Sequence, residues 1–265
     1  MEQFSIITDT KAMRDTLLRK ISEEFGSEVG VVTDENSVML TSTDKESKGK
    51  IVDAISKTIV EEYEDKLISK LINQNYFYFN LPDKRNIFEK AINYTDHENA
   101  YNELVSAKLR EYLETTDLVM IDGFVNFRLK DYQNELEGII DKAVDDFMVE
   151  KEYKEFIKLL KYFVDIQTPK YEFINIVPAV EGYSLYDDTG TDVTARCTKE
   201  FMRDTGGGFI NSDDLLISAL ISIAPRRVCI HKPERIENEE LLKTIKQVFH
   251  KCITLCDGCS LCEKN

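Results

Sequence analysis

Four of the six cysteines, Cys252, Cys256, Cys259 and Cys262, fall within eleven residues near the end of the chain, while Cys197 and Cys229 stand alone. In a cytosolic protein such clustering points to metal or redox chemistry before structural disulfides. The spacing is Cys-x3-Cys-x2-Cys-x2-Cys. Its first three members match the cluster-binding spacing of radical-SAM enzymes. There, however, the motif precedes most of a barrel, whereas here only a few residues follow, so that chemistry is not expected.

A zinc site is the sharper expectation, and chain geometry selects its ligands. If 252–256 is an extended strand, the Cα atoms of Cys252 and Cys256 lie roughly 13 Å apart, too far to share an ion whose Zn–S bonds are about 2.3 Å. Cys256, Cys259 and Cys262 can converge because Asp257-Gly258 permits a tight loop, and a closed tetrahedron then needs one more donor. His231 is the candidate. It ends an apolar run at 227–231, followed by a helical pattern at 239–250 behind Asn238 and a second strand at 252–256. Such a β-α-β unit makes its two strands parallel and often adjacent, about 4.8 Å apart, which would set His231 beside Cys256. The expected metal ligands are therefore His231, Cys256, Cys259 and Cys262, with Cys252 or His250 as alternative fourth donors. Two readings without metal account for the same residues: reduced thiols on a mobile tail, or a Cys256–Cys259 pair that cycles with cellular oxidants.

Other chemistry is thinly represented. Gly206-Gly207-Gly208 before a helix start at Ser212 invites a phosphate-loop reading. It lacks the Gly-Lys-Ser/Thr ending, and Asp213 and Asp214 would repel phosphate where the helix start should attract it. The three histidines, His97, His231 and His250, form no His-Glu-x-x-His motif and no recognisable triad. Asp145-Asp146 and Asp187-Asp188 read as solvent-facing or turn residues. The run Tyr76-Phe77-Tyr78-Phe79 reads as core rather than as a stacking platform. No catalytic residue is assigned.

Composition narrows the partners. Lys and Arg total 34 against 49 Asp and Glu, a formal net charge of −15. The basic residues alternate with acids, as in Lys151-Glu152-Tyr153-Lys154-Glu155, so the surface disfavours nucleic acid and anionic lipid. No segment reaches the 18 or more apolar residues of a membrane span, and the start of the chain lacks a secretion signal, so the expected location is the cytoplasm. A protein partner or a second copy of the chain is the expected ligand class.

The elements that must position these residues fall into three stretches. Residues 1–46 alternate short strands, at 4–8, 29–33 and 38–42, with a helix at 11–25, a small α/β module whose hairpin turns at 34–37. Residues 47–169 are almost wholly helical. Ile51, Ile55, Ile59, Tyr63, Leu67 and Leu71 mark one long stripe, shorter helices follow Pro82 at 86–94 and 98–114, and 124–169 reads as nearly continuous helix. In that last helix Leu129, Tyr132, Leu136, Ile140, Val144, Phe147, Phe156, Leu160 and Phe163 define the buried face, and Arg128 and Asp131 are spaced for an ion pair. Residues 170–265 read as an antiparallel meander at 171–177, 183–187 and 193–197, a buried helix at 213–224 capped by Ser212, and the β-α-β unit with its Cys-rich tail. The expected fold class is α+β and predominantly α-helical, a central helical bundle flanked by a small N-terminal α/β module and a C-terminal α/β region.

The long helix also carries a specific order of residues. Phe127-Arg128-Leu129-Lys130-Asp131-Tyr132, Val149-Glu150-Lys151-Glu152-Tyr153, and Tyr162-Phe163-Val164-Asp165 before Pro169 resemble the YtxC family of bacterial sporulation proteins. The likeness is most specific over 122–169 and continues weakly through 220–262. It implies a sporulation-associated role and assigns no reaction. Two functions follow as expectations: a non-catalytic scaffold or protein-interaction module, or a metal- or thiol-dependent redox protein using the C-terminal cysteines.

Overall fold

The computed structural model describes residues 2–26, 29–35, 37–42, 45–95, 100–180, 182–204 and 211–263. Asn36 of the predicted hairpin turn, His97 and the Gly206-Gly207-Gly208 run lie outside them. The fold is α+β and predominantly helical, and it divides into two compact units, Met1–Val149 and Glu150–Asn265.

The first unit opens with β1 (Glu2–Ile7), α1 (Lys11–Phe25), β2 (Gly30–Thr33) and β3 (Ser37–Ser42). Thr10 caps α1 by accepting from the Met13 amide, and Gly26 ends it with φ 53°, a left-handed value that glycine adopts without strain. Strands β1 and β3 pair antiparallel, as do β2 and β3. A further strand, β4 (Leu118–Met120), pairs parallel to β1 and completes the order β2-β3-β1-β4. Sequence reading missed β4 because three residues are too short to show a period of two.

Between β3 and β4 run α2 (Lys45–Asn75), α3 (Leu81–Tyr94) and α4 (Ala100–Leu113). The expected α2 stripe is buried except Tyr63, which is half-buried, and Val52, Val60, Ile68 and Ile72 are buried as well. So broad an apolar face suits a helix covered by several neighbours. Helix α3 begins earlier than expected: Asn80 caps it by accepting from the Asp83 amide, and Pro82 occupies its first turn instead of breaking the chain. Of the aromatic run, Tyr76 and Phe79 pack on the core, whereas Phe77 and Tyr78 are exposed.

The predicted continuous helix is interrupted. Helix α5 (Ile121–Phe127) stops at Arg128, and α6 (Lys130–Ile166) restarts after Leu129. The Gln133 side-chain amide donates to the Val125 carbonyl at 2.7 Å, satisfying an acceptor freed where α5 ends. Leu129, Tyr132, Leu136, Ile140, Val144 and Phe147 bury into the first core, with the Tyr132 hydroxyl donating to buried Glu64 at 3.3 Å. Beyond Phe147 the buried positions are Ile157 and Leu160, while Phe156 and Phe163 remain exposed. The expected Arg128–Asp131 pair does not form: Arg128 lies over the Tyr112 ring, and Asp131 faces Lys108 at 3.5 Å.

The second unit contains β5 (Ile174–Ala179), β6 (Gly182–Tyr186), α7 (Thr194–Asp204), α8 (Ser212–Ile223), β7 (Val228–His231), α9 (Glu239–Val248), β8 (Ile253–Cys256) and α10 (Ser260–Glu263). The predicted third meander strand is the start of α7. Asp192 accepts from the Thr194 amide, and Val193 and Cys197, four apart, bury one helical face. The cap of α8 is Asn211, one residue before the expected Ser212. Asp213 then accepts from the Tyr183 hydroxyl at 2.9 Å and from Asn238 at 2.7 Å, tying β6, α8 and the cap of α9 together. The sheet runs β6-β5-β7-β8, antiparallel between β5 and β6 and parallel across β5, β7 and β8. Its core holds Ile174, Ile176, Val228, Ile230, Leu216, Leu220, Leu241 and Ile245.

Candidate metal centre

All four residues of β7 are buried, so this strand forms an apolar ladder ending in an imidazole. Strand β8 pairs beside it in parallel with His231 directly opposite Cys256. Parallel partners face the same side of a sheet, so this register places ring and thiol together. The chain then turns through Asp257-Gly258, sets Cys259 ahead of α10, and carries Cys262 inside that helix, where the Cys262 amide donates to the Cys259 carbonyl at 2.9 Å. Lys232 reaches across at the end of β7, its Nζ donating to the Cys262 carbonyl at 2.6 Å.

The structure brings the four predicted ligands together: His231 Nδ1 and the Sγ atoms of Cys256, Cys259 and Cys262 all lie within 4.8 Å of one another. Nδ1 is 3.3 Å from Cys262 Sγ and 3.4 Å from Cys259 Sγ. Cys262 Sγ is 3.8 Å from Cys259 Sγ and 4.0 Å from Cys256 Sγ. Tetrahedral zinc with bonds of about 2.3 Å to sulfur and about 2.0 Å to nitrogen requires S–S edges near ~3.8 Å and N–S edges near ~3.5 Å. These four separations fit those edges, and the His231–Cys256 and Cys256–Cys259 pairs lie within 4.8 Å. They are nearly twice the ~2.05 Å of a disulfide, and all six cysteines are free.

Protonation suits coordination. His231 is 3% exposed, and burial pushes its pKa down, which favours the neutral ring that a metal needs. Its other nitrogen, Nε2, lies 2.9 Å from Asn175 Oδ1. Asn175 in turn donates from Nδ2 to the carbonyls of Asp187 at 3.1 Å and Tyr186 at 3.4 Å, which orients Oδ1 toward the ring. Nε2 therefore carries the proton, and the Nδ1 lone pair faces the sulfurs. Amide groups of Cys262 and Leu261 lower the Cys259 thiol, whereas burial raises Cys262.

The alternative donors are elsewhere. Cys252 Sγ bonds the Phe249 carbonyl at 3.4 Å, and His250 lines a surface groove with Lys161 and Lys246. Asn175 and Lys232 were not singled out in the sequence. The signal for Asn175 was present: it is one amide inside the apolar strand Ile174-Asn175-Ile176-Val177, where a buried polar side chain must have a partner.

A model of the YtxC-like family matches residues 49–254. The chain belongs to the YtxC-like family. It is 24% identical over 213 residues to "Uncharacterized protein YtxC" of Bacillus subtilis (strain 168), an alignment that covers 75% of this chain and 73% of that protein. No solved structure matches at a significant level. The family match includes His231 and Asn175 but stops before Cys256, so family membership does not itself imply the cysteine ligands.

Proposed function

We propose that this YtxC-like protein is a non-catalytic scaffold whose C-terminal unit is fastened by a structural zinc ion held by His231, Cys256, Cys259 and Cys262. The convergence of the four donor atoms within 4.8 Å of one another, with four of their six separations at tetrahedral edge lengths, carries the reading. Four protein ligands fill the coordination shell and leave no open position for water or substrate, which favours a structural over a hydrolytic ion. The ion would pin the segment after β8 to the end of β7, where Lys232 already holds the Cys262 carbonyl.

Elemental analysis of protein purified without a metal-binding tag tests this. About one equivalent of zinc is expected, and less than a tenth of an equivalent of zinc or iron removes the proposal. His231→Ala should lower retention, and Cys252→Ser should not.

A role in sporulation, in the bacterial cytoplasm and through a protein partner, rests on the family resemblance alone. Among the described residues no helix is long and apolar enough to cross a membrane. Co-purification from sporulating cells should return a stoichiometric partner. Failure to find one, with the recombinant protein monomeric, counts against the scaffold. A thiol-redox reading has one observation in its favour: Cys259 is exposed and its thiol is acidified by two amides. It requires a Cys256–Cys259 disulfide to form reversibly in metal-free protein.

A further inference from the structure

A second feature lies in the first unit, away from any cysteine. Helices α2 and α3 border an open groove of about 670 Å³. Its apolar lining is buried Ile72, half-buried Phe88, and Leu81, which leaves 81% of its surface exposed at the rim. Around that surface stand Lys66, Lys70 and Lys84.

These ammonium groups are oriented but not neutralised. Lys70 Nζ donates to Asn126 Oδ1 at 2.8 Å, Lys84 Nζ donates to Asn73 Oδ1 at 3.0 Å, and Lys66 Nζ sits 5.0 Å from the Tyr63 ring centroid. Each partner is a neutral amide or an aromatic ring. Arg85, also in the lining, spends its charge on Glu89 at 3.1 Å, and Asp65 is the one carboxylate among the lining residues. Within a chain of net charge −15 the groove is a local reversal of sign over apolar surface. Exposed lysines on an acidic protein ordinarily face carboxylates or open water. Three lysines bordering one concave apolar surface, none of them held by a carboxylate, supply what a ligand with a charged head and an apolar body requires.

We propose that the α2–α3 groove binds an amphiphilic organic anion. Its carboxylate, sulfonate or phosphate head lies between Lys70 and Lys84 with Lys66 beside it, and its apolar body rests on Ile72, Leu81 and Phe88. The volume is within the range of small-molecule clefts, roughly 300–1,000 Å³. The site is independent of the zinc centre and of its test.

Titration of the full chain with 8-anilinonaphthalene-1-sulfonate and, separately, with octyl phosphate below its micelle concentration tests the proposal, read by fluorescence and by amide chemical shifts. The expected result is one saturable site at which the two probes compete, with perturbed amides centred on Ser69, Ile72, Leu81 and Phe88. Octanol, which lacks the charge, should bind at least about tenfold more weakly than octyl phosphate, and the K70E/K84E variant should weaken octyl phosphate by at least about tenfold. Equal affinity for octanol and octyl phosphate overturns the proposal, as do perturbed amides elsewhere or an unchanged affinity in a folded K70E/K84E protein. The comparison of octanol with octyl phosphate on the unaltered chain decides the matter if that variant does not fold. Binding to vesicles containing anionic phospholipid, without binding to either soluble probe, assigns the groove to a membrane surface and also overturns it.

Discussion

Replacing Asn175 by alanine separates a positioned imidazole from a merely nearby one. Asn175 Oδ1 is the acceptor, 2.9 Å away, that holds the proton on His231 Nε2. Without it the ring can protonate on either nitrogen and rotate, and the Nδ1 lone pair no longer faces the three sulfurs as the favoured state. Loss of such an outer partner typically reduces metal affinity 10- to 100-fold, about 1.4–2.7 kcal/mol. The same truncation strands the carbonyls of Asp187 and Tyr186, so fold stability must be measured separately on metal-free protein. Competition against a chromophoric zinc chelator gives the affinity. Asn175→Ala should bind at least tenfold more weakly than the parent. Asn175→Asp retains an acceptor facing Nε2–H and should lose less. Parent-like affinity in a folded Asn175→Ala protein would refute the proposed tautomer, and with it the assignment of Nδ1 as the ligating atom.

Two more outcomes follow from the same structure. Zinc affinity should rise with pH through the neutral range, by about tenfold per pH unit for each thiol that must lose a proton on binding. The buried Cys262, whose pKa is raised, contributes to that slope, whereas His231, whose pKa is lowered, is already neutral there; chelator competition at pH 6, 7 and 8 checks this, and a flat profile excludes thiolate ligation. Tyr132→Phe removes the hydroxyl that donates to the 4%-exposed Glu64, and urea unfolding should show a loss of about 1–3 kcal/mol with little change in zinc content.

The candidate site was legible because its geometry is set by local rules. An apolar run ending in His231, a capped helix and a second strand specify a parallel pair. Asp257-Gly258 then leaves the last two thiols only a short path back. What escaped reading depends on contacts distant in sequence. Strand β4 is defined by its partner β1, more than a hundred residues earlier, and not by its own three residues. The helical start at Thr194 looked β-like because Val193 and Cys197 suit either period until their burial is known. The break at Arg128–Leu129 was hidden because apolar spacing continues through it, and the compensating bond comes from Gln133, a residue with no conspicuous pattern. Along α6 the expected Phe156 and Phe163 are exposed and Ile157 is buried with Leu160, because residues up to Phe147 pack into the first core and Ile157 and Leu160 into the second, a change of partner that apolar spacing does not reveal.

The pairing of His231 with Cys256 has a consequence for how the chain tolerates length changes. Alternate residues of a strand project to opposite sides, so displacing β8 by a single position along β7 would turn Cys256 away from the imidazole. Threonine or serine in place of other β8 residues would leave the donors where they are, but one residue gained or lost inside β8, between Ile253 and Cys256, would dismantle the quartet without altering any of its members. Relatives of unequal length there would accordingly part company in metal content even where every donor is retained.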